Sequence, residues 1–175
     1  MNLTIEQRHV AQAMLWGAIF SLADIATAYY FFPTQYSPTF ELQSNLQFAI
    51  RCDLFALLML LLGIGVVAKQ RFFSSTAISG NTDKIDQTII INLRYIQNTL
   101  EQTLLLFITH LVLATVLPIN SMKLIPILVS LFIIGRILFW VGYHRSPISR
   151  AFGFVTSFYP TAFAMIYCCF KITGV

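Results

Sequence analysis

Charged residues are scarce in this chain. Asp, Glu, Lys and Arg make up 10% of its 175 residues, whereas 57% are hydrophobic. Soluble domains average about 25% charged and about 45–50% apolar residues, and a domain of this size cannot enclose so large an apolar fraction. The composition therefore predicts an integral membrane protein. Its eleven basic residues are too dispersed to indicate a nucleic-acid partner.

Cysteine is also scarce, and the common cofactor motifs are missing. Three cysteines do not make a disulfide framework. The sequence contains no Cys/His spacing typical of a metal site and no glycine-rich nucleotide loop. We therefore predict neither a bound metal nor a nucleotide.

Long apolar runs, by contrast, are abundant. A helix needs about 20 residues to cross a bilayer, and five segments have this length: residues 9–32, 46–68, 88–117, 122–141 and 151–170. Because the first run is too long for a signal peptide and no small-residue cleavage site ends it, we expect it to stay in the protein. The sequence predicts an all-α, multi-pass membrane bundle. We divide it into an N-terminal helix with its loop, residues 1–44, and a four-helix domain, residues 45–175.

Local signals refine these spans. Gly63 and Gly65 lower helix propensity but permit close helix packing in a membrane. Ser146 followed by Pro147 predicts an N-cap and a first-turn proline for the last helix. Pro160 predicts a kink within that helix.

The distribution of positive charge predicts the orientation in the membrane. Loops on one side carry Arg8, Lys69, Arg71, Lys84, Arg145 and Arg150. The other side has Lys123 and Lys171, with Arg51 near it. Since basic residues concentrate in cytoplasmic loops, we expect a cytoplasmic N-terminus.

Two polar motifs interrupt the apolar runs. The first motif is Arg94, Asn98 and Glu101, spaced i, i+4 and i+7, which places the three residues along one helix face. The second motif is Arg136, Tyr143 and Arg150, each seven residues from the next across the fourth and fifth spans. Polar side chains are costly in lipid, so both motifs predict a buried cluster. Its excess of guanidinium groups suits an anion such as a carboxylate.

Simpler explanations exist for individual residues. Arg94 could form an ion pair with Glu101, and Arg136 could extend its charge to the membrane surface. Asp53 is expected to pair with Arg51 two residues away, and Asp24, in the first span, has no evident partner.

Together the two motifs resemble those of the MAPEG family, the membrane-associated proteins of eicosanoid and glutathione metabolism. The resemblance covers residues 46–169 and rests on the patterns R-x3-N-x2-E and R-x6-Y-x6-R on successive spans. It implies an antiparallel four-helix bundle that assembles as a homotrimer, with glutathione bound between helices of neighbouring subunits and open to the cytoplasmic side. The segment 9–32 would then be a helix additional to the usual four.

The resemblance also implies roles for the motif residues. The first motif would hold the carboxylates and amino group of glutathione, and Arg136 and Tyr143 would contact the tripeptide from the next helix. Arg150 would lie near the thiol and stabilise it as a thiolate, because a nearby cation lowers a thiol pKa. Two positions depart from the pattern: Gln97 replaces an arginine of some members, and Phe139 replaces a tyrosine of the leukotriene synthase branch.

Three functions follow as expectations. The first is a membrane-bound glutathione-dependent transferase or peroxidase acting on a hydrophobic electrophile or a lipid hydroperoxide. The second is a non-catalytic protein on the same scaffold that binds lipid or a membrane partner. A small transporter or channel is less favoured, because the sequence shows neither an internal repeat nor a pair of broken helices.

Overall fold

The computed structural model describes residues 4–31, 41–74 and 86–174. Those residues form five long helices: α1 (Ile5–Phe31), α2 (Leu42–Phe72), α3 (Gln87–Val116), α4 (Leu124–Arg145) and α5 (Arg150–Thr173). A short 3-10 turn, Ile119–Ser121, joins α3 to α4. All five helices are long and apolar enough to cross a membrane, and no strand occurs in the described ranges. The predicted all-α membrane bundle, four helices plus one, is confirmed.

The helices begin and end differently from the predicted spans. Helix α2 starts at Leu42, inside the predicted loop, and continues to Phe72. The N-cap predicted at Ser146 is wrong, because α5 begins only at Arg150. Ser146 instead ends α4, and its hydroxyl accepts a hydrogen bond from the backbone N–H of Ser149 at 3.1 Å. The two serines thus build a tight turn between the helices. The connecting segments 32–40 and 75–85 lie outside the described residues.

Glycines set the closest helix contacts. A Cβ atom at Gly63 would lie 2.8 Å from the Tyr95 ring, so α2 and α3 meet there as predicted, whereas Gly65 faces open space. Between α4 and α5, a Cβ atom at Gly153 would collide with the backbone nitrogen of Phe139. A Cβ atom at Gly135 would come within 2.9 Å of Ser157. Because α4 and α5 approach so closely, polar side chains of the two helices can reach each other.

Helix α1 lies at the periphery of the bundle and runs beside α5. Its buried residues are Gly17 and Ser21. The Ser21 hydroxyl donates to the Gly17 carbonyl at 2.7 Å, and a Cβ atom at Gly17 would lie 3.0 Å from the Phe152 carbonyl. Other large apolar side chains of α1, such as Trp16 at 63% exposure, point outward, as expected for a helix surrounded by lipid.

The two ends of the bundle differ in charge. At one end, called here the basic end, lie Lys69, Arg71, Arg94, Arg145 and Arg150. The opposite end, called the far end, carries Lys123 just before α4 and Lys171 in the last turn of α5.

A candidate anion-binding site at the basic end

Tyr143 connects two arginines from different helices. Its hydroxyl oxygen accepts a hydrogen bond from Nη1 of Arg94 on α3 at 3.1 Å. The guanidinium of Arg150, at the start of α5, lies 4.4 Å from the centroid of the Tyr143 ring, in cation–π range. Tyr143 itself is buried on α4. One tyrosine therefore positions a cation from each of the two neighbouring helices.

Arg136 lies deeper in the bundle and is fully buried. Its Nη1 donates to Oδ1 of Asn98 at 2.7 Å, and its Nη2 donates to Oγ of Ser157 at 2.5 Å. The Ser157 hydroxyl in turn donates to Oε1 of Gln102 at 2.8 Å. The guanidinium also packs over the ring of Phe139, 4.8 Å from its centroid. This group, Arg136 with Asn98, Ser157 and Gln102, is called the Arg136 cluster below.

The three arginines of the motifs carry charge that their contacts do not neutralise. Across the described ranges, Arg94, Arg136 and Arg150 form no ion pair with a carboxylate. The hydrogen-bond acceptors of Arg136 are neutral, and its Nε has no partner there. Since a buried cation such as Arg136 is usually paired, this end of the bundle favours an anion.

A cavity of about 520 Å³ opens beside these groups. Arg94, Asn98 and Arg150 form its polar wall. Its apolar wall consists of Val10, Met14, Phe139, Ile148 and Phe154, together with Pro147 and Ala151. The cavity thus offers cationic and amide groups on one side and a hydrophobic surface on the other, which suits an anion next to a hydrophobic molecule.

Glu101 is the motif residue that lies apart from this cavity. It is exposed and accepts a hydrogen bond from Nε2 of Gln97 at 3.2 Å, so the ion pair considered for Arg94 and Glu101 does not form. Both Gln97 and Glu101 lie on the exposed face of α3, together with Arg94. Asn98 points instead toward the interior and the Arg136 cluster.

Several residues of the site were not identified from the sequence. Ser157 and Gln102 complete the hydrogen-bond chain of Arg136. Val10 and Met14 bring α1 to the cavity wall. A signal existed for Gln102, which lies four residues after Asn98 and therefore on the same face of α3, but Ser157 and the apolar residues of α1 stand in unremarkable sequence.

A second buried polar pair lies elsewhere in the bundle. Oδ1 of Asp53 on α2 is 2.6 Å from Nδ1 of His110 on α3, and both side chains are almost completely buried. The expected pairing of Asp53 with Arg51 is therefore wrong, because Asp53 turns into the bundle while Arg51 is exposed. Asp24 is half-buried on α1.

Comparisons with known proteins agree with this architecture. The sequence model of the MAPEG family matches residues 48–170, which cover α3, α4, most of α2 and most of α5. Two curated relatives are named Transmembrane protein 79. The mouse protein is 28% identical over 80% of this chain and 35% of its own length. The bovine protein is 29% identical over 76% of this chain and 33% of its own length. The chain thus spans about a third of these relatives. No solved structure matches it significantly.

Proposed function

Because the chain belongs to the MAPEG family, we propose that it is a membrane-bound glutathione-dependent transferase or peroxidase. Its second substrate would be a hydrophobic electrophile or a lipid hydroperoxide. The observation that carries the proposal is the cavity at the basic end, in which Arg94 and Arg150 face an apolar wall.

Glutathione fits the charge of this site. It is an anion with two carboxylates, and the arginines of the two motifs have no carboxylate partner within the described part of the chain. Arg94 and Asn98 line the cavity and would bind one end of the tripeptide. Arg136 does not line the cavity and would act through Asn98. Its hydrogen bond orients the amide of Asn98, and its positive charge favours an anion nearby.

Arg150 would be the catalytic residue. It lines the cavity next to Ile148, Ala151 and Phe154, where an apolar substrate would meet the thiol. A guanidinium beside a thiol favours the thiolate, which is the nucleophile in both conjugation and peroxide reduction. Tyr143 would keep Arg150 in place through the ring contact, and its hydroxyl would keep Arg94 in place.

The exposed face of α3 supports a homotrimer as part of this proposal. Arg94, Gln97 and Glu101 lie on that face of a membrane-spanning helix, where contact with lipid would be costly. A neighbouring copy would cover this exposed polar face of α3. Glu101 of one copy could then contact the glutathione bound by its neighbour. The basic end would face the cytoplasm, in keeping with the positive-inside rule.

The first test is a calorimetric titration of glutathione into the detergent-solubilised protein. We expect saturable binding in the wild-type protein and a loss of at least about tenfold in affinity for Arg94→Ala, since a charge-assisted contact disappears. Arg145→Ala is the matched control. Arg145 is an exposed arginine in the last turn of α4, also at the basic end, and it does not line the cavity. Equal binding by all three proteins would contradict the site.

Turnover is the second test. Arg150→Ala should abolish glutathione-dependent conjugation or peroxide reduction while the oligomer elutes unchanged. Full activity in this variant would refute the assigned role of Arg150.

A non-catalytic binding protein on the same scaffold is the second candidate function. It is favoured by the position of Glu101 outside the cavity and by Phe139, which places a phenyl ring without a hydroxyl in the cavity wall. This candidate predicts ligand binding without turnover. Glutathione-dependent product formation by the purified protein would exclude it.

A further inference from the structure

A second cavity, of about 400 Å³, lies toward the far end between α1, α3, α4 and α5. We call it the far cavity. Its walls are almost entirely apolar and include Leu22, Ile25, Leu128, Pro160 and Phe163. Its volume is within the range of about 300–1,000 Å³ typical of small-ligand pockets.

Helix α1 creates this cavity, although α1 lies outside the region matched by the family. The helix contacts α5 closely at Gly17 and Ser21. Beyond this contact, Leu22, Ile25 and Tyr29 follow one another along the same face of α1 and line the cavity. The space therefore opens where the close packing of α1 against α5 ends.

One end of the far cavity is polar and positively charged. The hydroxyls of Tyr29 and Ser121, both in the cavity wall, are 3.2 Å apart. Nζ of Lys123 donates to the Tyr29 carbonyl at 2.7 Å and lies 4.2 Å from the centroid of the Tyr29 ring. Because an ammonium group has three donors, Lys123 can still bind an anion. Lys171 lies 5.8 Å from the ring centroid of Tyr167, another wall residue.

We propose that the far cavity binds one acyl chain of an anionic membrane lipid, with the lipid headgroup at Lys123. The apolar walls match the chain, and Lys123 and Lys171 match the charge of the headgroup. The polar end lies near the end of α1 and the start of α4, which is the depth at which lipid headgroups meet a membrane-spanning bundle. The proposal for this cavity does not rest on the glutathione binding proposed at the other end.

Native mass spectrometry of the detergent-solubilised protein tests the proposal. The probes are phosphatidylglycerol and phosphatidylcholine with identical chains, added at matched concentrations. We expect one phosphatidylglycerol bound per chain, with at least about tenfold higher affinity than phosphatidylcholine, because its charge is complementary to Lys123.

Two kinds of variant separate the headgroup from the chain. Lys123→Gln should remove the preference for phosphatidylglycerol, whereas Arg51→Gln, an exposed cation of α2 away from the cavity, should leave it unchanged. Ala18→Phe and Ala164→Leu fill the cavity from α1 and from α5 and should reduce binding of both lipids.

The elution profile and melting temperature of each variant are first compared with those of the wild type, to show that the variant is folded. Because the two filling changes act on different walls, one folded filling variant is sufficient to test the cavity. Equal affinity for the two lipids in the wild-type protein would overturn the proposal. So would a preference that survives Lys123→Gln, or normal lipid binding in a folded variant with a filled cavity.

Discussion

Two of the buried polar groups among the described residues differ in one respect. Asp53 and His110 are an acid and a base in direct contact, so each offers the other a partner of complementary charge. Arg136 donates from Nη1 and Nη2 to the neutral acceptors Asn98 and Ser157, which leave its charge in place. Both arrangements leave buried atoms without a hydrogen-bond partner among the described residues: Oδ2 of Asp53, Nε2 of His110 and Nε of Arg136. They differ in charge, because the first pairs an acid with a base, whereas the second has no carboxylate partner and favours an additional anion. Charge balance, more than burial, thus distinguishes a structural contact from a candidate site.

Breaking the Asp53 pair should have the largest effect on stability. Asp53→Ala leaves His110 buried without a partner, and we expect a loss of about 3–5 kcal/mol in the free energy of unfolding. Denaturant unfolding in detergent micelles measures it. The double variant Asp53→Leu/His110→Phe removes both partners and should recover most of the loss. A single variant as stable as the wild type would contradict the structural role.

Removing Arg136 should produce the opposite pattern. Arg136→Met deletes the buried charge and keeps a long apolar side chain, so we expect a change in stability of about 1–2 kcal/mol or less. Glutathione affinity should fall by about a hundredfold, because the positive charge and the orientation of Asn98 are both lost. Calorimetry and unfolding on the same sample measure the two quantities. Severe destabilisation with unchanged affinity in the folded fraction would show that Arg136 resembles Asp53.

Ser157 allows a finer test of the Arg136 cluster. Ser157→Ala removes one acceptor of Arg136 and the donor to Gln102, and it should cost about 1–3 kcal/mol of stability. We expect a decrease of only about fivefold to tenfold in glutathione affinity, since the charge remains. Ser130→Ala is a suitable control, because Ser130 lies on α4 and its hydroxyl donates, among the described residues, only to the carbonyl of Ile127. Equal effects of the two changes would exclude a specific role for Ser157.

Glu101 should show the smallest effect on stability. It is exposed and contacts Gln97, so Glu101→Gln is expected to leave the melting temperature essentially unchanged. If a neighbouring copy brings Glu101 to the ligand, affinity should still fall, though less than for Arg94→Ala. Unchanged affinity in an intact oligomer would remove Glu101 from the binding site.

The sequence was sufficient to predict the helices but not all of their ends. Runs of about 20 apolar residues identify each span, because the membrane requires them. The extra residues of α2 and α4 are mostly polar or aromatic and extend beyond such a run. The sequence correctly indicated that the Ser146 hydroxyl accepts a backbone hydrogen bond. That bond, however, stabilises the turn before α5 and does not cap the first turn of the helix.

The site was predicted less completely, for a different reason. The spacing of Arg94 and Asn98 on one helix could be read from local geometry, as could that of Arg136 and Tyr143. The pairing of Asp53 with His110 could not be predicted in this way, because it depends on the contact of α2 with α3 rather than on distance along the sequence. For the same reason, the contribution of Met14 to the cavity wall required the position of α1 against α5.

Helix α1 forms part of the wall of both cavities. Val10 and Met14 face the cavity at the basic end. Tyr29 faces the far cavity and lies about 22 Å beyond Met14 along the helix axis, at about 1.5 Å per residue. A rigid helix shared in this way would link the two ligands thermodynamically if both of them shift its position. If a lipid that shifts α1 changes the affinity for glutathione by some factor, glutathione must change the affinity for that lipid by the same factor. The composition of the membrane would then act as an allosteric effector of the site on the opposite side.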